Sequence, residues 1–263
     1  MPVSIHDLRA MKERGERFAM LTAYDYPTAQ VLDEAGIPVL LVGDSLAQVV
    51  LGYDSTIPVT MDEMLHHCRA VARGARNSLV VGDMPFMSYQ ASVEDGLRNA
   101  GRFLKEGGAH SVKIEGPQIE LASAMAERGI PVMGHLGLTP QSVHLFGGYK
   151  VQGRSEEQAD RIRMWAKELE EAGAFALVLE CVPSALAAQI TASLSIPTIG
   201  IGAGPDCDAQ VLVVHDLIGL TAGPAPKFVK RYADVRSQIT DAAKAFASDV
   251  AAGTYPDDAH SYS

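Results

Sequence analysis

Seven short apolar runs in this sequence end in, or lead into, residues able to do acid–base or metal chemistry. The run 18–23 leads into Asp25, 39–42 into Asp44-Ser45, and 79–81 into Asp83. The run 112–114 contains Lys113 and ends in Glu115; 131–134 ends in His135, and 175–179 in Glu180. The run 211–214 ends in His215-Asp216. A single Asp in such a place is often only a helix cap. Caps need no Lys, His or Glu, so the set reads as a functional mouth.

Asp44, Asp83 and Glu115 around one mouth would repel one another. A divalent cation, Lys113, or both would offset that repulsion. Oxygen ligands without a Cys/His cluster favour Mg²⁺ over Zn²⁺. The alternative is a buried carboxylate–lysine network without metal. Glu180, between Leu179 and Cys181-Val182, is expected in an apolar setting, which would raise its pKa towards that of a general base. Its plainer reading is a helix cap or a partner for a lysine. Cys181 has no His beside it in sequence and reads as a structural cysteine. The glycines of 200–204 are spaced GxGxG, not GxGxxG, and are a poor dinucleotide fingerprint. The loop 147–153 (GGYKVQG) is either a mobile flap or a simple connection.

These residues need a frame that brings strand ends together. The seven runs and an eighth at 197–201 are short, and most are rich in Val, Ile or Leu, as strands buried on both faces are. Six of the seven intervals read wholly or partly as helices. The segment 25–35 ends at Gly36. Thr60 with Glu63 makes a capping box, and Ser92 with Asp95 a weaker cap. Pro117 is expected at the first position of a helix towards Arg128. The segments 155–172, 184–193 and 234–251 are also helical in pattern. Eight strands with helical crossovers imply a parallel sheet, and eight units in about 250 residues suit a single α/β domain, a (β/α)8 TIM barrel. A doubly wound open sheet is the runner-up. The expected organisation is one barrel domain with a C-terminal helix over 1–251, and a flexible tail over 252–263.

Composition narrows the function. Of 263 residues, 47% are hydrophobic and 21% charged, which excludes a disordered chain. The net charge of −10, with no basic block, argues against nucleic acid and anionic membranes as partners. No apolar run approaches a membrane span, and the polar N-terminus lacks a signal core. Three cysteines without a CxxC fit a reducing, cytoplasmic setting.

Ten blocks carry a specific resemblance: TAYDYP (22–27), LVGDSL (41–46), DSTIPVT (54–60), GDMPFMSY (82–89), VKIEG (112–116), GHLGLTPQS (134–142), FGGYKVQG (146–153), LVLECVP (177–183), IGIGAG (199–204) and PKFVK (226–230). In this order, along nearly the whole chain, the sequence resembles the ketopantoate hydroxymethyltransferase family of pantothenate biosynthesis.

The resemblance implies a barrel of the phosphoenolpyruvate/pyruvate type, assembled as a homodecamer. It implies Mg²⁺, 5,10-methylenetetrahydrofolate as one-carbon donor and 2-oxoisovalerate as acceptor, both small-molecule substrates. It assigns Asp44 and Asp83 to the metal, with Glu115 in the metal's shell directly or through water. The oxoacid would contact Asp44, Ser45, Asp83 and Lys113. Glu180 would be the catalytic base and His135 a neighbour of the site. The alternative enzyme class is a Mg²⁺-dependent C–C lyase or mutase on the same barrel. A nucleophilic cysteine and a phosphate or second-carboxylate pocket would favour it, and the sequence has no clear motif for either.

Overall fold

The structure is a computed structural model that describes residues 2–262. The chain divides after residue 213 into two compact units. The first holds eight parallel strands closed into a barrel in sequence order. They are β1 (Phe18–Thr22), β2 (Val39–Val42), β3 (Leu79–Asp83), β4 (Ser111–Glu115), β5 (Val132–Gly137), β6 (Ala176–Glu180), β7 (Thr198–Ile201) and β8 (Ala209–Leu212). Pairing of β8 with β1 closes the ring and rules out the open doubly wound sheet. Residues of β2, β3 and β4 are buried throughout, as parallel strands covered by helices must be.

The crossover helices begin where the sequence signals them. Thr60 and Glu63 form the capping box of Met61–Gly74. Ser92 caps Val93–Lys105, and Ser155 caps Glu156–Glu171. Pro117 is not the first helical residue. Gln118 donates its N–H to Gly116 O at 2.9 Å, so a tight turn delays the helix to Ile119–Glu127. Asp25 accepts from Thr28 N at 2.8 Å and is the N-cap of Tyr26–Glu34, an exposed residue outside the mouth.

Period-two alternation sorts the barrel interior into layers. Val81, Met133 and Val178 belong to the apolar core with Met20, Val39, Leu41, Ile199 and Val211. Two residues further on, the same face carries Asp83, His135 and Glu180. In β4 the inward pair is Lys113 and Glu115. The polar set therefore forms one layer above an apolar one, at the C-terminal ends of the strands. An N-terminal helix, Ile5–Glu13, adds fully buried Leu8 to the core. Its own capping box, Ser4 with Asp7, starts it.

The second unit begins with the short helix Val214–Leu217, which contains His215 and Asp216. β8 ends at Leu212, so these two residues are not a strand end, as the eighth apolar run had suggested. A longer helix follows, Val235–Ala252, capped by Asp234 and ended by Gly253 in a left-handed conformation. No residue of that helix is buried. Beyond it Tyr255 stacks edge-on against Phe246 at 5.3 Å, and residues Asp258–His260 form a 3₁₀ turn.

Candidate active site

Strand register brings the polar residues together. Asp83 pairs with Lys113 across β3 and β4, and Glu115 pairs with His135 across β4 and β5. Lys113 Nζ lies 2.8 Å from Asp83 Oδ1, 3.6 Å from Glu115 Oε1 and 3.3 Å from His135 Nδ1. His135 Nδ1 is also 3.3 Å from Glu115 Oε1, and its Nε2 is 3.4 Å from Glu180 Oε2. Asp44 follows β2 and donates its backbone N–H to Asp83 Oδ2 at 3.1 Å. All these side chains except Glu180 are almost wholly buried.

Burial and like charges act against the two aspartates. Burial, then the charges of Asp83 and Glu115, push the Asp44 carboxyl well above the usual range. Burial also raises Asp83, although Lys113 opposes it. Glu115 goes the other way. Burial raises it, but the Lys113 charge and the His135 contact outweigh that and leave it lowered. Lys113 is raised despite burial by its three carboxylate neighbours. His135 is likewise raised, because contacts with Glu115 and Glu180 overcome burial and the lysine's charge. The neighbouring carboxylates thus favour the charged forms of Lys113 and His135, while burial and mutual repulsion disfavour the charged forms of Asp44 and Asp83.

Ser45 starts the short helix Leu46–Val49, and its Oγ lies 2.9 Å from Tyr24 Oη. A Cβ on Gly43 would come within 2.8 Å of that Oγ, so the glycine before Asp44 keeps the serine in place. Glu180 is not enclosed by apolar neighbours, as its sequence flanks had suggested. Its side chain is 17% exposed and faces His135. Cys181, immediately after it, is one of two non-glycine residues with positive φ among those described, at 47°. Such a conformation persists only where its surroundings enforce it. Here Cys181 N–H donates to Ile201 O, its carbonyl accepts from Gln152 N, and Glu180 O accepts from Leu138 N. Gly137 allows that last approach, since a Cβ there would meet Glu180 O at 2.2 Å. The Cys181 thiol is pushed up to about 11 by burial and by Glu180, which suits a structural cysteine and not a nucleophile.

Two uncharged residues, in the segments 82–89 and 134–142, also join the site. Tyr89 Oη donates to Gln141 Oε1 at 2.7 Å and accepts from Glu115 N at 3.0 Å. Gln141 Nε2 donates to Asp44 Oδ2 at 3.0 Å and to Met84 O at 2.9 Å. Both follow strand ends, but neither is charged, so a search for charge at strand ends passes over them.

The oxygen-rich centre fits a hard divalent cation. Lys113 meets Asp83 Oδ1 as an ion pair outside hydrogen-bond angles, and neither Asp83 Oδ1 nor Glu115 Oε1 receives a hydrogen bond. Asp44 and Asp83 stand side by side with acceptor capacity to spare. Among the described residues no three His, Cys, Asp or Glu side chains form a ready metal cluster. Two carboxylates are what Mg²⁺ commonly takes, with water and substrate oxygens completing its octahedron.

The family model for ketopantoate hydroxymethyltransferase matches residues 2–258. The 3-methyl-2-oxobutanoate hydroxymethyltransferase of Carboxydothermus hydrogenoformans is 59% identical over 262 residues, covering 99% of this chain and 95% of the relative. That of Thermobifida fusca is 60% identical over 262 residues, covering 99% and 93%. Among solved structures, phosphonopyruvate hydrolase superposes with a TM-score of 0.64 at 14% identity, covering 100% of this chain and 92% of that one. 2,3-Dimethylmalate lyase, of the PEP mutase/isocitrate lyase superfamily, gives 0.60 at 17%, covering 98% and 91%. At that identity the two structures share the fold alone, whereas the sequence relatives share most of the residues, and the chain belongs to the ketopantoate hydroxymethyltransferase family.

Proposed function

We propose that this chain transfers a hydroxymethyl group from 5,10-methylenetetrahydrofolate to 2-oxoisovalerate, giving ketopantoate and tetrahydrofolate for pantothenate synthesis. The reading is carried by one observation: two buried aspartates, one with an oxygen that accepts no hydrogen bond, a buried lysine and a part-exposed glutamate share one barrel mouth in a chain of this family. Asp44 and Asp83 would hold Mg²⁺, with Glu115 close by. Bound there, the metal supplies a Lewis acid for the oxoacid's keto and carboxylate oxygens.

The chain's own groups supply the rest. Lys113, held cationic by its carboxylate neighbours, offsets the negative charge that develops on the oxoacid. The Ser45 hydroxyl, itself placed by Tyr24, orients the substrate. Glu180 takes the C3 proton. His135 Nε2 faces its carboxylate, and the backbone bonds of residues 180 and 181 fix its direction. The resulting enolate carbon bonds to the one-carbon unit of the folate. The carbon–nitrogen bond to the folate breaks, and water provides the hydroxyl oxygen. Holding both substrates at one mouth removes the entropy cost of their encounter.

Turnover with both substrates, with and without Mg²⁺, tests the whole reading. Glu180→Gln is expected to keep oxoacid binding while losing C3 proton exchange in deuterated water. Unchanged exchange overturns the base assignment. By resemblance to the family, the proposed working form is a cytoplasmic homodecamer. A monomer by sedimentation contradicts that assembly.

A further inference from the structure

We infer that Gln141 is a positioning residue for the metal: its amide turns the Asp44 carboxylate so that Oδ1 is left to the cation. This rests on the proposed Mg²⁺-dependent reading of the site.

The argument is one of hydrogen-bond capacity. A glutamine amide has two N–H donors and two acceptor lone pairs. Gln141 is 5% exposed and uses all four. Nε2 donates to Asp44 Oδ2 and to Met84 O. Oε1 accepts from Tyr89 Oη at 2.7 Å and from Gln90 Nε2 at 2.9 Å. The orientation of the amide is forced. Met84 O can only accept, so Nε2 must face it, and Oε1 then takes the Tyr89 Oη proton while Tyr89 Oη accepts from Glu115 N. Turning the amide over would set its oxygen against the Met84 carbonyl and the Asp44 carboxylate.

The backbone of the same residue adds a fifth bond. Gln141 lies in the 3₁₀ turn Pro140–Ser142, whose opening N–H groups have no partner within the turn. Its N–H donates to Glu115 Oε2 at 3.0 Å. One residue after β5 thus ties together the ends of β2, β3 and β4. It engages one oxygen of Asp44 and one of Glu115. The hydrogen bond that Asp44's carboxylate accepts falls on Oδ2 and leaves Oδ1 to another partner, and Glu115 Oε1, which accepts none, faces Lys113 and His135. A neutral donor is what this place needs. A carboxylate would add a further buried negative charge beside Asp44, Asp83 and Glu115, and would oppose Met84 O.

The test is Mn²⁺ binding by the purified chain, followed by electron paramagnetic resonance and calorimetry, with no turnover measured. Gln141→Met keeps the length and removes the amide. Loss of such an outer-shell partner is expected to weaken Mn²⁺ binding roughly 10- to 100-fold. Tyr89→Phe removes one of the two donors that hold Oε1, and should weaken binding in the same direction by less. If Gln141→Met does not fold, Tyr89→Phe decides the matter alone. Parent-like Mn²⁺ affinity in a folded Gln141→Met, or in Tyr89→Phe where that is the only folded variant, overturns the positioning role while leaving the metal site standing. A parent chain that binds no Mn²⁺ overturns both.

Discussion

The two ends of the barrel treat carboxylates in opposite ways. Asp33 ends the helix before β2, at the N-terminal face, and is 7% exposed. Its Oδ1 accepts from Asn77 N, Ser78 N and Ser78 Oγ at 2.7–2.8 Å, and its Oδ2 from Asn77 Nδ2 at 2.9 Å. Burial opposes ionisation there, but those bonds win and hold the carboxyl below its usual range. Glu170 follows the same pattern. Burial is outweighed by Lys167 and by the Ser195 donors, which bring it to about 2. At the mouth, Asp44 accepts a single amide and is pushed up. The floor matches each carboxylate with donors and gains stability from it. The mouth leaves acceptor capacity open, and an open acceptor is what a cation or a substrate can use.

The largest effect that would sharpen this contrast is Asp44→Asn. The substitution keeps an oxygen for Gln141 but removes one of the buried negative charges. Turnover is expected to fall roughly 10³-fold, about 4 kcal/mol of barrier, as metal binding fails. The metal-free protein should melt no lower than the parent, and up to about 1 kcal/mol more stable, because repulsion is relieved. A melt in chelator beside a rate measurement checks both. A variant that lost stability as well as rate would mean the mouth is as tightly paired as the floor.

Asp33→Ala is the floor's counterpart. Four buried or part-buried hydrogen bonds are lost, with only Ser78 Oγ keeping a second acceptor in Ile37 O, at a cost of about 3 kcal/mol. A urea midpoint should drop accordingly while the folded enzyme keeps its kcat. The sign with pH follows from the lowered pKa. Asp33 stabilises the fold above the unfolded carboxyl value, about 4, and that stability is lost as pH falls through the folded value. The variant should therefore lose less stability on acidification than the parent does.

The frame was largely legible in the sequence, and the pairing within it was not. All eight strands lie where apolar runs stop at turn residues, because parallel strands buried on both faces need such runs. β8 is two residues earlier than its run suggests, since Ala209 and Gln210 pair in the sheet although Gln210 is exposed. The helix Ile5–Glu13 was hidden by its polarity. Leu8 is its one buried residue, although Ser4 and Asp7 spell a capping box. Asp83 and His135 sit two residues beyond core positions, Lys113 and Glu115 share the inward face of β4, and Asp44 lies just past β2. Glu180 departs from the setting its flanks imply because sequence neighbours do not set a strand residue's surroundings. Leu179 points to the other face, and the group facing Glu180 comes from β5. Gln141 lies 97 residues from Asp44 and 52 from Tyr89, and no local pattern announces contacts of that span.

Lys12→Met gives the smallest expected effect, and it tests redundancy at the floor. Lys12 Nζ is 2.8 Å from Asp208 Oδ2 and 2.9 Å from Thr191 O. The two side chains are 13% and 17% exposed, so salt screens the pair only in part. Asp208 Oδ2 also accepts from Thr198 N at 2.8 Å and Thr198 Oγ1 at 3.1 Å. With the lysine gone, the carboxylate keeps both of those donors, and methionine fills the lysine's apolar path. The loss should be about 1 kcal/mol, a third of that for Asp33→Ala, with rate unchanged. Urea midpoints of the two variants, measured side by side, decide the matter. An equal loss would show that Lys12 is the sole effective partner of Asp208, as Lys113 is the chief cation facing Asp83 at the mouth. The two ends would then differ in what binds there, and not in how well their charges are matched.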